Sequence, residues 1–69
     1  MAMTRKHFEK LATVISDHVQ SCVGAYGATY RFSEEFLMLE EIASDLSDVC
    51  EGENELFDRE KFLTACGVN

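Results

Sequence analysis

Apolar side chains recur every three or four positions through the first third of the chain, at Phe8, Leu11, Ala12, Ile15, Val19 and Cys22. At 3.6 residues per turn, this spacing places them on one face of an α-helix and leaves the other faces polar. Thr4 precedes the pattern and is a residue type that caps the first N–H groups of a helix. The pattern therefore predicts a first helix from Thr4 to about Cys22.

A break and then a second helix follow. Residues 23–29 contain two glycines and no periodicity, which predicts a flexible loop or an irregular turn. Ser33 is the expected N-cap of the second helix, with Phe32 and Leu37 placed to form a hydrophobic staple across its start. The predicted apolar face of this helix then continues through Leu39, Ile42, Ala43, Leu46, Val49 and Cys50.

The last part of the chain predicts a short third helix, about half as long as the others. The acidic tract 51–55 interrupts the second helical pattern and contains a glycine and an asparagine, both suited to a turn. Asp58 is a good N-cap, and Phe57 and Phe62 stand at the two stapling positions. Gly67 suits a left-handed stop at the C-terminal end.

Three amphipathic helices joined by short connections predict an all-α fold, a small antiparallel three-helix bundle with a short third helix. We expect a single helical domain, 1–69, because the apolar content of 46% is too high for a disordered chain despite the net charge of −7. A core of this size contributes about 3–5 kcal/mol of stability. Self-association is therefore an expected way to bury more apolar surface.

Two segments of the chain carry a family resemblance. Met-Thr-Arg-Lys-His-Phe occupies positions 3–8, and Phe-Asp-Arg-Glu-Lys-Phe-Leu-Thr-Ala-Cys-Gly occupies 57–67. They resemble the opening and closing motifs of a family of small proteins from tailed phages and environmental phage contigs, Met-Thr-Arg-Lys-x-Phe and Phe-Asp-Arg-x-x-Phe-Leu-x-Ala-Cys-Gly. The resemblance implies a phage accessory protein and carries over no catalytic residue. Met1 and Ala2 depart from the family's opening, and we interpret them as a cloning remnant or an alternative start.

The charge balance disfavours several classes of partner. Thirteen acidic residues against six basic ones oppose binding to a nucleic-acid backbone or an anionic membrane surface, because both are negatively charged. The chain has no apolar run near the ~18 residues of a spanning helix and no signal-peptide pattern at its start. We therefore expect a protein of the host cytoplasm, without a nucleic-acid or membrane partner.

The cysteines are the residues with the most reactive side chains. Cys22, Cys50 and Cys66 form no close pair in the sequence, and a reducing cytosol favours buried thiols. His18 lies one helical turn before Cys22, and these two with Cys50 and Cys66 would be the ligand types of a tetrahedral zinc site. An antiparallel helix pair, however, places Cys22 and Cys50 near opposite ends. We therefore expect no metal, no cofactor and no intrachain disulfide.

The sequence contains no arrangement typical of catalysis. A Cys–His nucleophilic pair requires an oxyanion pocket, but no glycine-rich nucleophile turn surrounds any of the cysteines. Adjacent carboxylates such as Glu34-Glu35 and Glu40-Glu41 point apart on a helix and indicate a solvated face. A chain this short also has little room for a substrate pocket beside its core. We predict that the protein is not an enzyme.

Two alternatives involve nucleic acid. The second and third helices could form a helix-turn-helix with Arg59 and Lys61 on the recognition helix, although acidic residues crowd its approach. Alternatively, the carboxylates could make the protein an inhibitor that mimics nucleic acid and occupies a host defence or nucleic-acid-processing protein.

The start of the second helix carries more large apolar residues than a single helical stripe can bury. Residues 36–39 are Phe-Leu-Met-Leu in unbroken succession, and two tyrosines and a phenylalanine lie shortly before them. We therefore expect the protein to act by binding an unidentified protein partner or by forming a homo-oligomer. The predicted contributors to these contacts are Tyr30, Phe36, Met38 and Leu39.

Overall fold

The computed structural model describes residues 4–68, and within them the chain forms three α-helices and one 3-10 helix. The helices are α1, Arg5–Tyr26; α2, Glu34–Glu53; and α3, Arg59–Cys66, and the 3-10 helix Gly27–Phe32 connects α1 to α2. They form a bundle 38 Å long, and the predicted all-α three-helix fold is confirmed. Met1 and Ala2, with the first residue of the opening motif, lie outside the described residues.

Helix α1 begins as predicted and ends one turn later than predicted. The backbone N–H of Thr4 donates to Nδ1 of His7 across 3.1 Å, which closes the start of the helix. The helix continues through Gly24 to Tyr26 and ends at Gly27, whose φ of +61° is in the left-handed region. Its buried face matches the predicted one: Phe8, Ala12, Ile15, Val19 and Cys22.

The segment expected to be a flexible loop or an irregular turn is instead helical. It consists of the last turn of α1 and the 3-10 helix that follows. Ser33 caps α2 as predicted, because its Oγ accepts the N–H of Phe36 at 3.1 Å and donates to the Tyr30 carbonyl at 2.7 Å. Phe32 does not act as the predicted staple, since its side chain is 84% exposed.

Helix α2 buries only part of the face that its pattern predicted: Ala43 and Cys50 are buried, and Leu39 and Leu46 pack against the core. The fully buried residues are Phe36, Ala43, Ser47 and Cys50. Ser47 is polar, but its hydroxyl donates to the Ala43 carbonyl at 2.9 Å, so its burial leaves no unsatisfied group. Two residues assigned to the predicted face, Ile42 and Val49, are exposed. The buried face is therefore rotated part of a turn away from them.

Helix α3 has the cap and the stop that the sequence predicted. The Asp58 carboxylate accepts the N–H of Lys61 at 3.1 Å. Gly67 ends the helix with a φ of +82°, and its N–H donates to the carbonyls of Leu63 and Thr64.

Aromatic contacts dock α3 on α1. The Phe57 and Phe62 rings lie 5.4 Å apart between centroids, which confirms the staple, and Phe57 also meets Phe8 edge-on at 4.7 Å. At the other end of α3, Gly67 lies against the side chain of Val19. Helices α1 and α3 therefore run side by side in the same direction, as expected for an up-down-up bundle.

Arg59 connects the start of α3 to α2. Its guanidinium donates to the carboxylates of Asp48 at 2.6 Å and Glu51 at 3.3 Å, and to the hydroxyl of Ser44 at 3.1 Å. The two carboxylate hydrogen bonds raise the pKa of Arg59. A guanidinium suits this place because its rigid fork serves several acceptors at once.

Candidate protein-interaction surface

The four residues predicted to make contacts beyond the monomer occupy different environments. The prediction that Phe36 lies at the surface is wrong, because the residue is only 1% exposed and belongs to the core. Tyr30 and Leu39 are half-buried and pack against the core. Met38 is 57% exposed and is the one member of the set with most of its side chain at the surface.

Tyr30 belongs to a small aromatic cluster that covers one end of the core. Its ring meets the Phe36 ring at right angles, with 5.3 Å between centroids. The guanidinium of Arg31 lies 5.4 Å from the Phe36 centroid and 5.8 Å from the Tyr30 centroid, within the range of cation–π attraction. These contacts give Tyr30 a structural role in the monomer and leave part of its side chain exposed.

An open groove of about 600 Å³ separates the C-terminal end of α1 from the start of α2. Met38 and Leu39 line it on the α2 side, opposite Tyr26 on α1. A hydrogen bond between the Tyr26 hydroxyl and the Glu35 carboxylate spans the two helices and is the main cause of the raised pKa of Tyr26. The groove thus has an apolar lining and an acidic edge.

An apolar line continues from this groove along the outside of α2. Met38, Ile42, Asp45 and Val49 follow one another at intervals of four, three and four residues, so they form one stripe on the helix. We call these four residues the α2 outer stripe. Val49 is 58% exposed, similar to Met38, and Ile42 is exposed to a lesser degree. Ile42 and Val49 could not be recognised as surface residues from the sequence, because their spacing fits the core face equally well.

The charge on α2 is entirely of one sign. Helix α2 contains no lysine, arginine or histidine and carries eight carboxylates: Glu34, Glu35, Glu40, Glu41, Asp45, Asp48, Glu51 and Glu53. Two of these, Asp48 and Glu51, are bound to Arg59. Asp45 is the acidic member of the α2 outer stripe, so the stripe is an apolar line with a negative charge within it.

A second groove, of about 520 Å³, lies between α1 and α3. Phe8, Phe57 and Phe62 line it, and charged residues of both signs, including Arg5 and Asp58, stand around them. Leu56, which is 88% exposed, also lines this groove. The mixed charges give this groove no electrostatic preference for a particular ligand.

The three cysteines are buried free thiols. Burial raises the pKa of the Cys50 thiol, and burial together with the neighbouring Cys50 raises that of Cys66 to about 11. Cys50 of α2 and Cys66 of α3 both belong to the buried core. Both thiols stay protonated at neutral pH, the form that is a poor nucleophile.

No cluster of three or more histidine, cysteine or acidic side chains suited to hold a metal ion occurs within residues 4–68. His18 is exposed at the α1–α2 groove, one turn from the buried Cys22. Over the same residues, none of the helices is both long enough and apolar enough to cross a membrane.

Comparison with known proteins identifies no relative: no protein-family model, no curated protein and no solved structure matches the chain.

Proposed function

We propose that the protein binds other proteins through the α2 outer stripe and the adjoining α1–α2 groove, and that it does so as a small phage accessory protein in the host cytoplasm. The observation that carries the proposal is the exposure of Met38, Ile42 and Val49 along one line of a helix whose opposite face forms the core. A contiguous apolar patch rimmed by polar residues is typical of a protein-binding surface.

The free energy available for association depends on how much apolar area an interface buries. An interface that buries about 600 Å² of apolar area, summed over both partners, gains roughly 15 kcal/mol of gross stabilisation at ~25 cal/mol/Å². Association costs about 4–15 kcal/mol in lost translational and rotational freedom. The surplus supports a weak to moderate complex, with a second copy of the chain or with a different protein.

Light scattering and affinity capture test the proposal together. We expect the wild-type protein either to self-associate across a concentration series or to retain a specific protein from phage-infected host lysate. Met38→Asp should abolish that behaviour, because it places a charge in the stripe. Leu56→Asp is the matched control, since Leu56 is also exposed but lies at the α1–α3 groove. Two results together would contradict the proposal. The wild type would stay monomeric at high micromolar concentration, and every protein that it captures would also be captured by the Met38→Asp variant.

A second candidate function is inhibition by nucleic-acid mimicry. The eight carboxylates of α2, without a cation on the same helix, support it. A mimic would bind a nucleic-acid-processing protein through charge alone. Its binding would therefore be unchanged by Met38→Asp and weakened by Glu40→Lys and Glu41→Lys. Binding through the α2 outer stripe would instead be lost in the Met38→Asp variant.

A further inference from the structure

The carboxylates of α2 surround the α2 outer stripe on both sides. At 100° per residue, Glu34 and Glu41 lie roughly 50–70° from the stripe on one side, and Glu35 and Glu53 lie at a similar angle on the other. Asp45 lies within the stripe itself, one turn after Ile42 and one turn before Val49. Any helix that covers the apolar side chains must therefore also cover or approach these negative charges.

This charge pattern disfavours a second copy of the chain as the occupant. An antiparallel α2–α2 pairing would set the two stripes against each other, with no cation on either α2 helix. It would bring together, from both copies, Asp45 and the glutamates that flank the stripe, Glu34, Glu35, Glu41 and Glu53. Like charges juxtaposed across an interface are destabilising. Asp45 would also lose its water next to the apolar residues of the other copy, without a positive partner.

We propose that the α2 outer stripe receives a helical segment of a different protein, one whose apolar ridge is flanked by lysine or arginine side chains. This inference rests on the proposed function and specifies the chemistry of the partner. A cation opposite Asp45 would compensate the charge that the stripe carries, and cations on the ridge's flanks would meet the glutamates beside the stripe.

The dimensions of the surface fit a short helical segment. The stripe from Met38 to Val49 covers three turns, about 16 Å at 1.5 Å per residue. The α1–α2 groove extends it at the Met38 end, where Tyr26 forms the opposite wall. A partner helix of three to four turns, carrying anchors at i, i+4, i+7 and i+11, would lie along the stripe with its N- or C-terminal anchor in this groove.

A designed peptide provides the probe. The test peptide is an 18-residue helix of leucine and lysine with the leucines on one face, and two control peptides accompany it. One control has glutamate in place of each lysine. The other has the same leucine and lysine content in an order that spreads the leucines evenly around the helix. Fluorescence anisotropy of a labelled peptide, titrated with the full-length protein, measures the binding. We expect binding of the test peptide that weakens about tenfold between 50 and 300 mM NaCl, and at least tenfold weaker binding of both controls.

Two charge-reversal variants then locate the electrostatic contact. Asp45→Lys alters the stripe, and Glu40→Lys makes the same charge change on the same helix, 140° around it at 100° per residue. Both residues are exposed, so neither change should disturb folding, which circular dichroism can verify. We expect Asp45→Lys to weaken the test peptide at least tenfold and Glu40→Lys to weaken it less than threefold.

The outcomes distinguish failure of this inference from failure of the proposed function. Equal losses in the two variants, or equal binding of the scrambled peptide, would mean non-specific attraction to an acidic protein and would overturn the inference. Equal binding of the glutamate peptide would overturn the basic character of the partner while retaining the apolar surface. Self-association abolished by Met38→Asp, with no peptide binding, would assign the stripe to a second copy. Binding of the test peptide that Met38→Asp and Val49→Asp both leave unchanged would contradict this inference and the proposed function alike.

Discussion

Phe62 is the side chain on which the attachment of α3 depends most. It is buried, and its ring packs against Phe57, which in turn meets Phe8 of α1. We expect Phe62→Ala to lower the free energy of unfolding by about 3–5 kcal/mol, because it removes a fully buried ring and leaves a cavity. This loss is comparable with the whole stability of about 3–5 kcal/mol expected for a core of this size. Thermal melting followed by circular dichroism should therefore show a largely unfolded variant.

The matched control for Phe62 is Leu56→Ala. Leu56 is also a large apolar residue at the start of α3, but it is exposed, so its removal should change the stability by less than about 0.5 kcal/mol. An unchanged melting temperature for Phe62→Ala would show that the aromatic contacts do not hold α3 in place.

Cys66 should make the stability depend on pH in the alkaline range. Burial raises the pKa of its thiol from 9.0 to about 11, so the folded state favours the protonated form. This contribution is fully present below pH 9 and is lost as the pH rises towards 11. Between pH 8 and pH 10.5 we expect the wild type to lose about 1–2 kcal/mol more than Cys66→Ala in urea unfolding. Equal losses in the two proteins would show that another group controls the alkaline transition.

At the scale of the elements, the two glycines near the end of α1 have opposite roles. Gly24 lies within the helix, where a Cβ would meet nothing within 4 Å, so Gly24→Ala should raise the stability by about 0.5–1 kcal/mol. Gly27 has equally open surroundings but a φ of +61°, so Gly27→Ala should lower the stability by about 1 kcal/mol or more. Paired urea titrations measure both effects. If both substitutions raised the stability, the positive φ assigned to Gly27 at the end of α1 would be contradicted.

The contact between α2 and α3 depends on Arg59. Its guanidinium has acceptors on three residues of α2, so Arg59→Ala should lower the melting temperature by about 5 °C and make it less sensitive to salt. Arg5→Ala is the control, because the ion pair of Arg5 with Glu9 is exposed and lies within one helix. This control should shift melting by about 1 °C or less. Similar shifts for the two variants would argue against an inter-helix role.

At the scale of the whole molecule, the excess of negative charge opposes nucleic acid. The net charge is −7, and Arg59, the first cation of the hypothetical recognition helix, is bound to carboxylates of α2. We expect no retardation of a DNA duplex in a gel at physiological salt and ~10 μM protein. A retarded band that disappears as salt is added would contradict this prediction, because such salt dependence reports contacts with phosphates.

The amino-acid sequence was enough to predict features that depend on neighbours within one or two turns of the chain. The N-caps at Thr4, Ser33 and Asp58 and the glycine stop at Gly67 could be predicted because a cap involves a residue and the next three or four backbone groups. The core face of α1 could also be predicted, since that helix has a single apolar stripe. From these local signals the three helices and their order followed.

The buried face of α2, in contrast, was set by packing between the helices. This helix has apolar residues on more than half of its circumference, so periodicity alone allowed several rotations about its axis. Packing against α1 and α3 selected the rotation that buries Phe36 and exposes Met38, Ile42 and Val49. The same packing placed Cys50 of α2 and Cys66 of α3 in one buried core. The sequence indicated Met38 and Leu39 of the candidate binding surface. It could not assign Ile42 and Val49 to that surface, because exposure is decided by what the neighbouring helices cover.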